Sequence, residues 1–88
     1  MTAMRDLTRG QVLAVVAECN RLGRDAFLAQ HGYRPSKRYK LIVGRKAYDS
    51  KAIVGVAMGV AARDFSGGAA TVQRRLTALG FRVRRIES

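Results

Sequence analysis

Apolar positions early in the chain recur at helical spacing. Val12, Val15, Val16, Cys19 and Leu22 fall on one face, which predicts a helix. Thr8 and Gln11 stand in front of it as a Thr-x-x-Gln capping box. Gly23 is placed to end it in a left-handed turn. A second short helix is expected from Asp25 to His31, with Phe27 and Leu28 as its apolar content and Gly32 as its stop. Tyr33-Arg34-Pro35-Ser36 reads as a loop, because Pro35 removes a donor and biases Arg34 towards an extended form.

The period then changes to two. From Arg38 to Val43, Tyr39, Leu41 and Val43 share one face of a predicted strand. Gly44 and Arg45 form a tight turn into a second short strand, Lys46 to Tyr48, completing a basic hairpin. Asp49 or Ser50 caps a third helix expected from Lys51 to Ala62. Ile53, Val56, Ala57 and Val60 face one way, while Val54 and Met58 add apolar surface elsewhere, so this helix is expected to be central. Gly55 and Gly59 each cost about 1 kcal/mol of helix propensity, which close packing would explain. A turn from Asp64 to Gly68 leads to a fourth helix, Ala69 to Leu79, with Val72, Leu76 and Leu79 inward and Gln73, Arg74 and Thr77 outward. After Gly80, Phe81 to Ile86 reads as a last strand, with Arg82 and Arg84 opposite Phe81 and Val83.

The expected fold is therefore α+β: one small domain over residues 1–88, in the order α-α-β-β-α-α-β, with helices on one face of a short antiparallel sheet. A chain of 88 residues has room for one domain. At that size only about 60% of the unfolded surface is buried, leaving little to wall a deep pocket.

Charge changes the picture most. Seventeen Lys and Arg oppose six Asp and Glu, a formal net charge of +11. Such self-repulsion works against the compact state and points to a polyanionic partner. A domain this basic carries the usual electrostatic footprint of nucleic-acid binding. The charge is also concentrated. Seven cations lie between Arg34 and Lys51, among them Arg38, Arg45 and Lys46, with Asp49 alone opposing them and three tyrosines (Tyr33, Tyr39, Tyr48) interleaved. Such a hairpin can neutralise phosphates or enter a major groove, although Lys on a solvated edge strand also serves simply to block aggregation. Arg74, Arg75, Arg82, Arg84 and Arg85 form a second cluster, placed beside the first or opposite it. Ser66-Gly67-Gly68, just before the fourth helix, fits either a turn or a phosphate clamp of backbone N–H groups. Tyr39 and Tyr48 suit either stacking on bases or packing within the hairpin.

Little else carries chemistry. Cys19 and His31 stand alone, and two such residues fall short of a structural zinc site, which takes about four ligands. Cys19 reads as core and His31 as a cation suited to a helix end. A nuclease wants clustered carboxylates or histidines, and the second half offers only Asp49 and Asp64 before Glu87. No Walker-type loop is present, so no cofactor, metal or catalytic residue is expected. Arg5, Asp6 and Arg9 interrupt any early apolar run, which argues against a secretory leader. No stretch approaches the roughly 20 apolar residues needed to span a bilayer.

A set of short motifs runs in order along the chain: Leu7-Thr8-Arg9; Arg21-Leu22-Gly23-Arg24-Asp25-Ala26-Phe27-Leu28; Tyr48-Asp49-Ser50-Lys51-Ala52-Ile53 with Ala57-x-Gly59; Phe65-Ser66-Gly67-Gly68; and Leu76 with Leu79-Gly80-Phe81. Together they resemble the N-terminal head domain of McrA-type modification-dependent HNH endonucleases. The resemblance implies binding of duplex DNA carrying 5-methylcytosine, with cleavage left to a separate HNH domain that this chain lacks. It carries a binding role onto Tyr48, Ser50 and Lys51, onto Ser66, Gly67 and Gly68, and onto the Arg38-Tyr39 pair. Where the family often has His this chain has Met58, and the segment before the Phe-Ser-Gly-Gly turn is shorter.

The expected function is thus a non-catalytic duplex-DNA module in a bacterial cytoplasm, on the nucleoid. It would contact DNA through the hairpin, the helix N-termini and Arg74, reading the methyl group in the major groove with Tyr39 or Tyr48. Groove reading is preferred to base flipping, which needs a snug pocket. A protein-interaction adaptor and an RNA-binding module, for which basic patches with tyrosines are also suited, are the alternatives.

Overall fold

The computed structural model describes residues 7–60 and 69–85. Their elements follow the anticipated order: α1 (Arg9–Leu22), α2 (Arg24–His31), β1 (Tyr39–Val43), β2 (Lys46–Asp49), α3 (Ser50–Met58), α4 (Ala69–Ala78) and β3 (Arg82–Arg85). The domain is α+β.

Both halves of the capping box form at the start of α1. The Gln11 amide donates to Thr8 Oγ1 at 3.1 Å, and the Thr8 amide donates to Gln11 Oε1 at 2.9 Å. Val12, Val15, Val16 and Cys19 are buried along the predicted face. α1 and α2 meet at Gly23, which caps the end of one and the start of the other. Its φ of 90° is positive as expected, but its ψ of 151° takes it out of the left-handed helical region. That extended mirror-image conformation is open essentially to glycine alone. It lets the chain turn from α1 into α2 without a loop.

α3 is shorter than its apolar run suggests. It ends at Met58, because Gly59 adopts the left-handed conformation at φ 71° and ψ 29°. The Val60 amide donates to the Gly55 carbonyl at 2.9 Å and the Gly59 amide to the Val56 carbonyl at 3.0 Å, which is a Schellman ending. Gly59 is therefore a stop, while Gly55 sits buried inside the helix. Val60 stays in phase with the apolar face, so periodicity carried the prediction past the true end. Residues 61 and 62, and the turn from Asp64 to Gly68, lie outside the described residues.

The sheet has the order β2-β1-β3, antiparallel throughout. Val43 faces Lys46 across the two-residue turn Gly44-Arg45. β1 is thus the central strand, flanked by β2 on one side and β3 on the other. Leu41 pairs with Tyr48 and with Val83, and all three point towards the helices. α3 lies against α1, α2, α4 and both hairpin strands. Ala52, Ile53 and Val54, three consecutive residues, are each 0% exposed, so the helix is enclosed on all sides there. Phe27, Leu41, Leu76 and Val72 complete the deepest part of the core. Arg9 closes the domain: its guanidinium lies 4.4 Å from the Phe81 ring centroid and donates to the Leu79 carbonyl at 3.1 Å.

Candidate nucleic-acid interface

The pairing of β3 with β1 decides how the two basic clusters relate. Arg84 stands opposite Lys40, and Arg82 opposite Ile42. Side chains alternate across a strand, so the residues on either side of Leu41 and Val83 point away from the helices. One face of the sheet therefore presents Lys40, Ile42, Ala47, Arg82 and Arg84, with Arg45 at the rim. Ala47, Arg82, Arg84 and Arg45 are exposed and Ile42 is half-buried. A shallow depression of about 460 Å³ runs over this face. Cations some forty residues apart in sequence meet there.

Asp49 sits at the edge of the same face and is buried. It occupies the N-cap position of α3 but makes no capping bond. Its carboxylate instead accepts from Arg24 Nε at 2.9 Å, from the Ser36 amide at 2.9 Å and from Lys40 Nζ. Burial alone would push this carboxyl up, but the hydrogen bonds from Arg24, Lys40 and the Ser36 backbone outweigh it and hold the pKa down to about 2. One carboxylate thus ties α2, the 33–38 loop and β1 to the start of α3. Because it meets two cations, the cluster keeps a net positive charge.

A second basic surface lies at the other end of the hairpin. Arg34, Lys37, Arg38, Tyr39, Ser50 and Lys51 line an open hollow of about 620 Å³ between the 33–38 loop and the start of α3. Tyr33 forms part of its wall, buried, with its hydroxyl donated to the Val60 carbonyl.

Some of the predicted contact residues line these surfaces and others do not. Arg38, Tyr39 and Lys51 line the hollow, with Tyr39 half-buried. Ser50 lines it too, but it is buried, and its hydroxyl donates to the Tyr39 carbonyl at 3.0 Å. Arg45 is exposed at the turn, and Lys46 reaches Asn20 Oδ1 at 3.1 Å. Tyr48 is 6% exposed and donates its hydroxyl to the same Asn20 oxygen at 2.8 Å. It is a core residue, because its register opposite Leu41 turns it inward. Arg74 is exposed on α4, which packs against β1 and β3 from the helix side. Ser66, Gly67 and Gly68 lie outside the described residues.

The model of the ScoMcrA-like N-terminal head domain matches residues 5–85. The chain belongs to that family. Among solved structures it is similar to the type IV phosphorothioation-dependent restriction endonuclease ScoMcrA, at 30% identity and a TM-score of 0.73. That match covers 93% of this chain and 13% of the endonuclease, so the chain spans a small fraction of that protein's length. No curated protein matches.

Several features of this head domain were not anticipated. The Arg24–Asp49 pair joins two of the motifs that carried the resemblance, and a lone acid among seven cations was its signal. Asn20, the shared acceptor for Lys46 and Tyr48, gave no signal at all. Glu18 stands 2.6 Å from His31 Nε2, a further link between α1 and α2. Burial, then nearby Asp49, pushes the Cys19 thiol up, which suits a core residue and not a nucleophile. Among the described residues no three His, Cys, Asp or Glu side chains cluster closely enough to share a metal ion. No described helix is long and apolar enough to cross a membrane.

Proposed function

We propose that this head domain is a non-catalytic duplex-DNA-binding module. The observation that carries this reading is the sheet face on which β1 brings Lys40 together with Arg82 and Arg84, which no described helix covers. Guanidinium and ammonium groups there neutralise phosphates and release counterions. Arg45 and Lys46 at the turn, with Arg38, Tyr39 and Lys51 at the hollow, extend the contact along the duplex, and Arg74, on the helix side, adds only to the overall positive field. Ser66, Gly67 and Gly68 belong to the same proposal as a phosphate clamp. Tyr48 and Ser50 act from within, holding the hairpin and the start of α3 in place. Binding of this kind fits a protein on the nucleoid.

The finer part of the proposal is a preference for 5-methylcytosine, which rests on what the motif resemblance implies and on the aliphatic groups of the sheet face. A second reading is favoured by the similarity to an endonuclease that depends on phosphorothioation: the preferred mark would then be sulfur on the backbone. Fluorescence anisotropy with one duplex in unmodified, 5-methylcytosine and phosphorothioate forms, at two salt concentrations, separates these. Tighter binding to the methylated form, weakening as salt rises, is the expected result. Preference for the sulfur form moves the second reading forward. Absence of binding to all three, or displacement of the duplex by single-stranded RNA at equal concentration, overturns the duplex-DNA reading.

A further inference from the structure

The open sheet face has an apolar pair beside its cations. Ala47, Ile42 and Arg82 form one row across the three strands, and Asp49, Lys40 and Arg84 form the next. Ala47 is exposed and Ile42 half-buried, and they are direct cross-strand neighbours. Arg82 and Arg84 flank them on β3, Arg45 at the turn, and Lys40 on β1 itself. Asp49, the acid nearest this face among the described residues, is buried and held by two cations. The face is thus aliphatic from the middle strand to the β2 edge and cationic on β3 and at the turn.

Its width matters as much as its chemistry. Neighbouring strands lie about 4.8 Å apart, so the outer backbones of a three-stranded sheet stand roughly 10 Å apart. The major groove is about 12 Å wide. A sheet of this width presented face-on brings Ile42 of the middle strand, with Ala47 beside it, to the base edges and Arg82 and Arg84 of β3 to one phosphate wall.

We propose that this face enters the major groove and that Ile42 with Ala47 contacts the C5-methyl groups of pyrimidines. The inference rests on the duplex-DNA reading above and adds to it the atoms that are read. Thymine and 5-methylcytosine project the same methyl group into the same groove. An aliphatic side chain removes water from that methyl and gains free energy in proportion to the area covered. The sensing role that the sequence suggested for Tyr39 or Tyr48 passes to two residues of opposite strand parity to both. The contact recognises thymine as well as methylated cytosine, so methyl preference appears in unmodified DNA too.

The experiment is an anisotropy titration of one duplex, with thymine and with uracil in its place, against the protein and its Ile42→Val and Ile42→Thr variants. Thermal melts establish that each variant is folded. The protein is expected to bind the thymine duplex more tightly, by about fourfold for each methyl contacted. Ile42→Val keeps most of that ratio, and Ile42→Thr, which trades part of the aliphatic contact for a hydroxyl, lowers it towards the share that Ala47 supplies. A merely structural role for Ile42 would shift both duplexes alike and leave the ratio intact. Binding of both duplexes with equal affinity overturns the methyl contact while leaving the duplex reading standing. A thymine preference unchanged by Ile42→Thr overturns it as well. Failure to bind either duplex takes down both readings together.

Discussion

Asp49 is the residue on which most of the local geometry depends. Its carboxylate holds Arg24, Lys40 and the Ser36 amide at once. Its folded pKa lies at about 2 against an ordinary value of 3.8. A depressed carboxyl contributes stability that is complete above its unfolded pKa and is lost as pH falls through the folded one. The window here is from about pH 4 down to pH 2, and the contribution is roughly 2 kcal/mol. Asp49→Asn is expected to lower stability at neutral pH by about that amount and to flatten the acid limb, as measured by urea unfolding at pH 7, 4 and 2.5. A variant as steep in acid as the parent would show that another carboxylate governs the limb. The neighbouring Ser36 behaves in the opposite sense. Its hydroxyl oxygen is buried and has no hydrogen-bond partner among the described residues. An unpaired buried hydroxyl costs about 1–3 kcal/mol, so Ser36→Ala is expected to leave the melting temperature unchanged or raise it. A fall of several degrees would reveal a partner for that oxygen.

At the scale of elements, Gly23 is the most constrained joint. An alanine Cβ there would meet nothing within 4 Å, yet φ 90° is a conformation that L side chains rarely adopt. The cost of Gly23→Ala is therefore backbone strain, about 1–3 kcal/mol, read as a drop in the urea midpoint at unchanged slope. A neutral result would mean that α1 and α2 meet with a different geometry. This joint also shows how far the fold was legible in the sequence. The elements were readable because periods of 3.6 and 2 are local properties, and Thr8-x-x-Gln11 and Gly32 mark ends with a local mechanism. Gly59 misled because Val60 beyond it keeps the apolar phase, and a left-handed stop leaves no trace in periodicity. The site was less legible. That β3 returns beside β1, with Arg84 against Lys40, is a pairing across about forty residues, and neither strand's pattern specifies its neighbour. Ile42 carries no signal for the same reason: the inward parity of Tyr39, Leu41 and Val43 does not say what the outward parity meets on the next strand.

For the whole molecule, the net charge of +11 predicts two salt responses of opposite sign. Without DNA, the folded chain concentrates like charges, and added salt screens their repulsion. The melting temperature is therefore expected to rise between low and physiological ionic strength. With DNA, salt competes for the phosphates, and log affinity falls linearly with log salt by about 0.9 for each phosphate neutralised. If the open sheet face meets the duplex, Arg82→Ala with Arg84→Ala removes two such contacts. The salt slope should then become shallower by about 2. Arg21→Ala, on an exposed position in the last turn of α1, removes the same kind of charge from the helical side and should leave the slope as it was. Measuring both slopes decides which surface carries the phosphates. An equal loss from all the arginines would mean that the charge acts as a diffuse field, whereas a loss confined to Arg82 and Arg84 means that β3 was brought beside β1 to build a docking face.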